Sequence, residues 1–189
     1  MKFLNRYNHS KNIRFNSFKK TLELSYSRNH KIIVETGTAR GKIKFFFFKK
    51  YNWKDGMSTI MLSDYAKFVN GKLHSCDISK DNIQNAKLFT NKFYHYVRFY
   101  IDDSINFLKN FPDKIDLLYL DSLDGHEPKA ASEHQLNEIK SCINKLKYNS
   151  LVLLDDKGEK TNLSVNFLIS NKFNILYETD FQILLSRQL

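Results

Sequence analysis

Cysteine is scarce in these 189 residues: Cys76 and Cys142 stand alone, with no Cys-x-x-Cys and no His/Cys cluster. That excludes a disulfide framework and a sulfur-ligated zinc site, and it fits a reducing, cytoplasmic setting. Two prolines and six glycines leave little room for a linker, and no internal repeat is found. No segment approaches the ~20 apolar residues of a membrane span. Met1-Lys2-Phe3-Leu4-Asn5-Arg6 lacks the apolar stretch of a secretory leader. Acid is short against base, so the formal net charge is +10. That favours anionic partners: a nucleotide-like cofactor, a phosphorylated or sugar-nucleotide substrate, or nucleic acid. Many lysines alternate with asparagine, however, and a solvated basic surface with no nucleic-acid role is the stronger reading.

What is present suffices for one domain with a full core: 42% hydrophobic and 14% aromatic residues. Residues 1–14 are polar and basic without a sustained period and read as an N-terminal arm. Ser17–Arg28 places Phe18, Leu22 and Tyr26 four apart, the spacing of a short amphipathic helix. The chain is organised around Ile32–Gly41, where an apolar run ends in Glu35 and Gly37 follows two residues later. A buried parallel strand runs out in this way into a tight turn beneath a ligand. Gly37 has no Cβ and lets the backbone turn sharply.

Lys42–Asp55, with four phenylalanines between lysines, reads as an insertion before the helix that opens near Ser58. It is a flap over the site, a surface-binding patch, or a segment that simply packs on the domain. Either Gly41 or Gly56 is then the second glycine near the ligand. Downstream, Gly71–Ile78, Tyr96–Ile101, Asp116–Asp121 and Ser150–Asp156 read as strands that end in or run into acids. Helices are expected over Ser79–Asn91, from Ser104 to Phe111, over Lys129–Lys147 and over Glu159–Lys172. Phe173–Tyr177 and Phe181–Ser186 form a hairpin. Strands alternating with helices imply an α/β, doubly wound, mostly parallel sheet with a C-terminal antiparallel hairpin.

The succession Val-Glu-Thr-Gly-Thr-Ala-Arg, Leu-His-Ser-Cys-Asp-Ile-Ser, Asp-Leu-Leu-Tyr-Leu-Asp and Leu-Val-Leu-Leu-Asp-Asp resembles a class I S-adenosylmethionine-dependent methyltransferase. It is most similar to small O-methyltransferase-type families with an acidic pair after the fifth strand, such as the catechol O-methyltransferase-like and cephalosporin-hydroxylase-like proteins. The resemblance spans about residues 30–186 and implies a seven-stranded Rossmann-like sheet whose seventh strand is antiparallel between the fifth and sixth. It departs from the family at the insertion after Arg40. No Asn-Pro-Pro-Tyr-like tetrapeptide is present, which disfavours methylation of an exocyclic base amine.

The resemblance implies S-adenosylmethionine as cofactor, held by Gly37, Thr38, Gly56 and Ser58 around the glycine turn. Asp77 would accept the ribose hydroxyls. Asp102 or Asp103, helped by Ser104, would meet the adenine edge, although N-capping of the next helix suits either acid equally. Glu35 lies beside the methionine end of the cofactor or braces the glycine turn. Asp121, Asp155 and Asp156 would share one crevice, where three carboxylates need a cation or a proton to coexist. Mg²⁺, Mn²⁺ or Ca²⁺ would satisfy them and acidify a substrate's vicinal hydroxyls. Lys157 or Lys129 is the rival source of positive charge, and capping of the following turn by Asp155 or Asp156 is the alternative without a metal. His126, with Asp121, is the candidate catalytic group, and a surface turn histidine is the alternative. His134 reads as structural or surface.

The expected activity is transfer of a methyl group to an oxygen of a small hydroxylated molecule. An RNA methyltransferase and a non-catalytic binding relative are the competing functions. A homo-oligomer is left open.

Overall fold

The computed structural model describes residues 1–45, 48–53, 57–123 and 127–187, with the backbone alone at 42–45 and 48–51. Five parallel strands carry the sheet: β1 (Ile32–Thr36), β4 (Lys72–Asp77), β5 (Val97–Ile101), β6 (Ile115–Leu120) and β7 (Leu146–Asp155). Two more complete it, β8 (Phe173–Glu178) and β9 (Gln182–Arg187), and the order across the sheet is β5-β4-β1-β6-β7-β9-β8. β9 is antiparallel to both β7 and β8, as expected for the seventh strand of this fold.

The central strands carry apolar residues on both faces because both faces are covered. Along β6, Leu117 and Tyr119 enter one core and Leu118 and Leu120 the other, all fully buried. Along β7, Leu151 and Leu153 face the first core, and Val152 and Leu154 the second. Each such side chain contributes about 1.5–3 kcal/mol of burial. The first core is closed by α1 (Phe15–Ser27), α2 (Ser58–Phe68) and α3 (Lys80–Phe89). The second is closed by α4 (Ser104–Asn110), α5 (Pro128–Cys142) and α6 (Glu159–Ser170).

Two expectations are corrected here. Residues 1–14 are not a free arm. Lys2–Tyr7 is a short 3-10 helix whose Leu4 and Tyr7 are buried in the first core. Tyr7 donates a hydrogen bond to Asp64 on α2 at 2.7 Å, and Arg6 pairs with the same carboxylate at 3.1 Å. Two 3-10 turns are too short to show a repeat, so the sequence carries no periodic sign of them. The helix expected over Lys129–Lys147 stops at Cys142, and β7 starts at Leu146 rather than at Ser150. The register between β6 and β7 jumps from Ile115↔Leu146 to Leu117↔Leu151. That irregularity hides the early part of β7 from a reading based on continuous apolar residues.

Between the glycine turn and α2, β2 (Lys42–Phe45) and β3 (Phe48–Tyr51) form an antiparallel pair outside the main sheet. Of the segment 42–55, Trp53 packs against the first core beside Tyr7 and His9, with ring centres 5.9 and 4.7 Å apart, and the phenylalanine side chains on which the flap reading rests lie outside the described residues. No helix among the described residues is long and apolar enough to cross a membrane. Cys76 and Cys142 are buried thiols.

Candidate active site

The carboxyl ends of β1, β4 and β6 meet at one edge of the sheet. β1 runs into Gly37, whose φ is +80° and whose N–H donates to the Cys76 carbonyl at 2.9 Å. A Cβ there would stand 2.0 Å from the Asp121 carbonyl oxygen, so only glycine lets the two strand ends close together. Gly41 serves packing instead. A Cβ at Gly41 would strike the Phe89 ring, which places this glycine against α3.

The turn encloses a cleft of ≈ 240 Å³ lined by Gly37, Thr38, Ser58, Asp77, Ser79, Asn82 and Asp121, among others. A second recess of ≈ 140 Å³ shares Gly37, Asp77 and Ser122 with it and adds Asp103, Ser104 and His134. The structure thus brings Gly37, Thr38, Ser58, Asp77, Asp103, Ser104 and Asp121 to one place. Gly56 and His126 lie outside the described residues.

Asp77 is half-buried and organises the cleft. Its Oδ2 accepts from the Thr38 N–H and the Asn82 amide, both at 3.1 Å, and its Oδ1 accepts from the Ser79 N–H at 2.7 Å. Oδ1 therefore keeps acceptor capacity for a hydroxyl of a ligand in the cleft. Glu35 does not line the cleft. It is fully buried and accepts from Ser75 Oγ at 2.6 Å and Thr59 Oγ1 at 2.9 Å. Thr59 Oγ1 in turn accepts from the Ala39 N–H, and Thr38 Oγ1 bonds Ser75 Oγ. Glu35 is thus the brace of the glycine turn. Burial pushes its pKa up to about 7, with the neighbouring hydroxyls opposing and Asp77 adding to the rise.

Asp102 is also outside the cleft. Asn106 Nδ2 takes both of its oxygens at 3.0 Å, and the Asp103 N–H takes one of them at 2.8 Å. Asp103 caps α4 through the Asn106 N–H at 2.9 Å while lining the recess, so capping and lining coincide in one residue. His134, expected to be structural or superficial, lines the recess as well. Its Nε2 lies 2.9 Å from Ser104 Oγ and 3.8 Å from the buried Glu138 carboxylate. Burial pushes the Glu138 carboxyl up.

Asp121, Asp155 and Asp156 converge as expected, each offering an oxygen within 4.8 Å of the others. The compensating charge comes from residues that sequence reasoning did not name. Arg14 Nε donates to Asp155 Oδ1 and Oδ2 at 2.7 and 2.9 Å, and Arg14 Nη2 donates to Asp156 Oδ1 at 3.0 Å. Lys160 Nζ reaches Asp156 Oδ2 at 3.0 Å and Asp121 Oδ1 at 3.3 Å. Tyr119 donates to Asp121 Oδ2 at 3.3 Å. Lys157 pairs with Glu178 instead, and Lys129 is exposed. Lys160 stands in the first turn of α6, just after the acidic pair, and that nearness in sequence was the available signal for it. Arg14 had none.

Burial and then Asp155 push the Asp121 carboxyl upward, against the pull of Lys160. Burial alone would lower Lys160, but Asp121 and Asp156 outweigh it and the ammonium is held charged. Each oxygen of the three acids already has a donor, and two cations are seated among them, so the cluster as it stands does not suit a divalent ion, which would meet Arg14 and Lys160 at short range.

A family model described as "Methyltransferase domain" matches residues 53–157. The chain belongs to the methyltransferase-domain family. Among curated proteins it is similar to Polyamine aminopropyltransferase 2 of Aquifex aeolicus (strain VF5), with 27% identity over 118 residues. That match covers 57% of this chain and 24% of the relative, so the chain spans about a quarter of the relative's length. Among solved structures it is similar to an rRNA methylase from Streptococcus thermophilus, with a TM-score of 0.65 and 12% identity, covering 96% of this chain and 99% of that one. It is also similar to the S-adenosylhomocysteine-bound methyltransferase PaMTH1 of Podospora anserina, with a TM-score of 0.63 and 12% identity over 92% and 78% of the two chains. These likenesses establish the class I methyltransferase fold, and the family model agrees with the family expected from the sequence.

Proposed function

We propose that this domain transfers a methyl group from S-adenosylmethionine to an oxygen of a small hydroxylated molecule. The observation that carries the reading is the cleft at the ends of β1, β4 and β6. Its half-buried Asp77 is fixed by three donors and retains an acceptor position. A vicinal ribose diol is the ligand group that such a carboxylate suits. Gly37 and Thr38 would form the floor beneath the cofactor, Ser58 would line its wall, and Asp103, Ser104 and His134 would line the adenine recess. S-adenosylmethionine, when bound, supplies an electrophilic methyl group. The residues of the chain hold the two reactants in line and exclude water, which is where most of the rate would come from.

Asp121 stands at the edge of the cleft beside Lys160. The cluster holds three carboxylates against two cations, so one negative charge is left over. Asp121, in its ionised form, is the group at the cleft that would take the proton leaving an acceptor hydroxyl. The buried thiols Cys76 and Cys142 suit a cytoplasmic setting.

Calorimetric titration with S-adenosylhomocysteine tests the cofactor assignment. We expect saturable binding, and we expect Asp77→Ala to weaken it by about 1.5–3 kcal/mol, the range for hydrogen bonds to a charged group. Equal binding by the variant and the parent would refute the assignment. A second reading, transfer to RNA, is favoured by the net charge of +10. RNA retained by the protein at physiological salt, with affinity falling steeply as salt rises, would move the acceptor to that class.

A further inference from the structure

The acid cluster divides two clefts. Asp121 faces the cofactor cleft described above. Asp156 and Lys160 face another of ≈ 360 Å³, lined also by Pro128, Gly158 and Phe181. The ammonium of Lys160, bonded to Asp121 on one side and Asp156 on the other, is therefore part of the wall between them. Its side chain is only 3% exposed, and the Asp155 side chain 1%. Arg14 reaches this wall from the turn just before α1, where its guanidinium spans Asp155 and Asp156 and lies 5.9 Å from the centre of the Phe181 ring.

We infer that Arg14 and Lys160 are the resident cations of this site, seated where a divalent ion would otherwise be needed, and that the N-terminal segment is thereby a positioning element of the acceptor side. The geometry leaves no bare carboxylate oxygen for an ion, which needs oxygen ligands at roughly 2.0–2.6 Å and a share of open positions. An incoming dication would also meet two positive groups at short range, and the one it displaced would lose its partners in a buried place. A planar guanidinium bonded to two consecutive acids fixes both carboxylates at once, which a flexible lysine does less well. Lys160 is then the buried positive charge in the wall of the second cleft, which Lys157 also lines. An acceptor then needs one hydroxyl oxygen there, not a chelating diol. This last step rests on the methyl-transfer reading; the assignment of the cations does not.

The test uses the full chain and Mn²⁺ alone as the probe, read by loss of the free-ion paramagnetic resonance signal. Parallel melting curves are recorded with Mg²⁺, Ca²⁺ and EDTA. For the unaltered protein we expect no stoichiometric Mn²⁺ binding at micromolar metal and no shift in melting. Arg14→Gln with Lys160→Gln should bind Mn²⁺ at least tenfold more tightly than the parent, and adding Asp155→Asn should abolish the gain. Arg14→Lys, which keeps the charge, should leave Mn²⁺ binding at the parental level. Stoichiometric Mn²⁺ binding by the unaltered protein, lost in Asp155→Asn, overturns the inference whether or not the double variant folds. So does a folded double variant that binds no more Mn²⁺ than the parent. Calorimetry with S-adenosylhomocysteine on the unaltered protein separates the two claims: failure there removes the cofactor reading and leaves the metal result standing.

Discussion

Single residues at this edge of the sheet carry different kinds of constraint, and their variants should differ accordingly. Gly37 and Gly158 both have positive φ, +80° and +140°. A Cβ at Gly37 meets the backbone of Asp121 and Ser122, whereas a Cβ at Gly158 meets nothing within 4 Å. Gly158→Ala should therefore cost only backbone strain, on the order of 1–3 kcal/mol. Gly37→Ala adds a backbone collision to comparable strain and should cost clearly more, as read from urea midpoints. A smaller loss at Gly37 than at Gly158 would mean that the two strand ends are not locked together.

Glu35 gives a pH signature. Its folded pKa of about 7 is raised above the unfolded value, so the folded state binds the extra proton and is favoured at low pH. That contribution is present below the unfolded value of 4.5 and is lost as pH rises to about 7, on the order of 3 kcal/mol in all. Glu35→Gln cannot lose it. His30 and His74, whose pKa values burial lowers to about 4, act in the opposite sense and are common to both proteins. The difference in stability between Glu35→Gln and the parent should therefore grow in favour of the variant from pH 5 to pH 8. A pH-independent difference would show that the buried carboxyl does not titrate in this window.

At the scale of elements, what could be read from the sequence was what repeats. The strand patterns at β4, β6 and β7 and the acids at their ends place Asp77, Asp121, Asp155 and Asp156 at one end of the sheet. Parallel topology forces strand ends together regardless of side-chain detail. The partners of those acids were not legible in the same way. Arg14 lies 141 residues from Asp155 and in no periodic segment. The bonds that take Asp102 out of the cleft depend on a local turn geometry that its type alone does not specify. Residues 1–14 read as an arm because two buried side chains on a six-residue 3-10 helix leave no pattern.

That helix should contribute measurably. Tyr7→Phe removes one donor from the buried Asp64, and a hydrogen bond to a charged group is worth about 1.5–3 kcal/mol. Leu4→Ala should cost about 2–5 kcal/mol if the vacated space stays open. Both are read as shifts in denaturation midpoint. Two losses near zero would restore the arm reading.

Across the whole molecule, the cleft joins elements that are distant in the chain. Gly37 follows β1, Asp77 ends β4, Asp103 precedes α4, and Asp121 follows β6. No unfolded chain holds these groups in register, so a ligand that bridges them binds the folded state alone. Its effect on stability then follows from mass action: at one hundred times its dissociation constant, S-adenosylhomocysteine should add about 2.7 kcal/mol. For a chain of this size, each kcal/mol moves the melting midpoint by roughly 2–4 °C, which predicts a rise of about 5–11 °C. The rise should increase with the logarithm of ligand concentration, and at a fixed concentration it should shrink in Asp77→Ala as the affinity falls. It should also persist in Arg14→Gln, because Arg14 contacts the acid cluster and lines neither the cleft nor its recess. A shift that Asp77→Ala leaves untouched, or that Arg14→Gln alone removes, would place the ligand in the second cleft beside Lys160 and detach the cofactor site from the glycine turn.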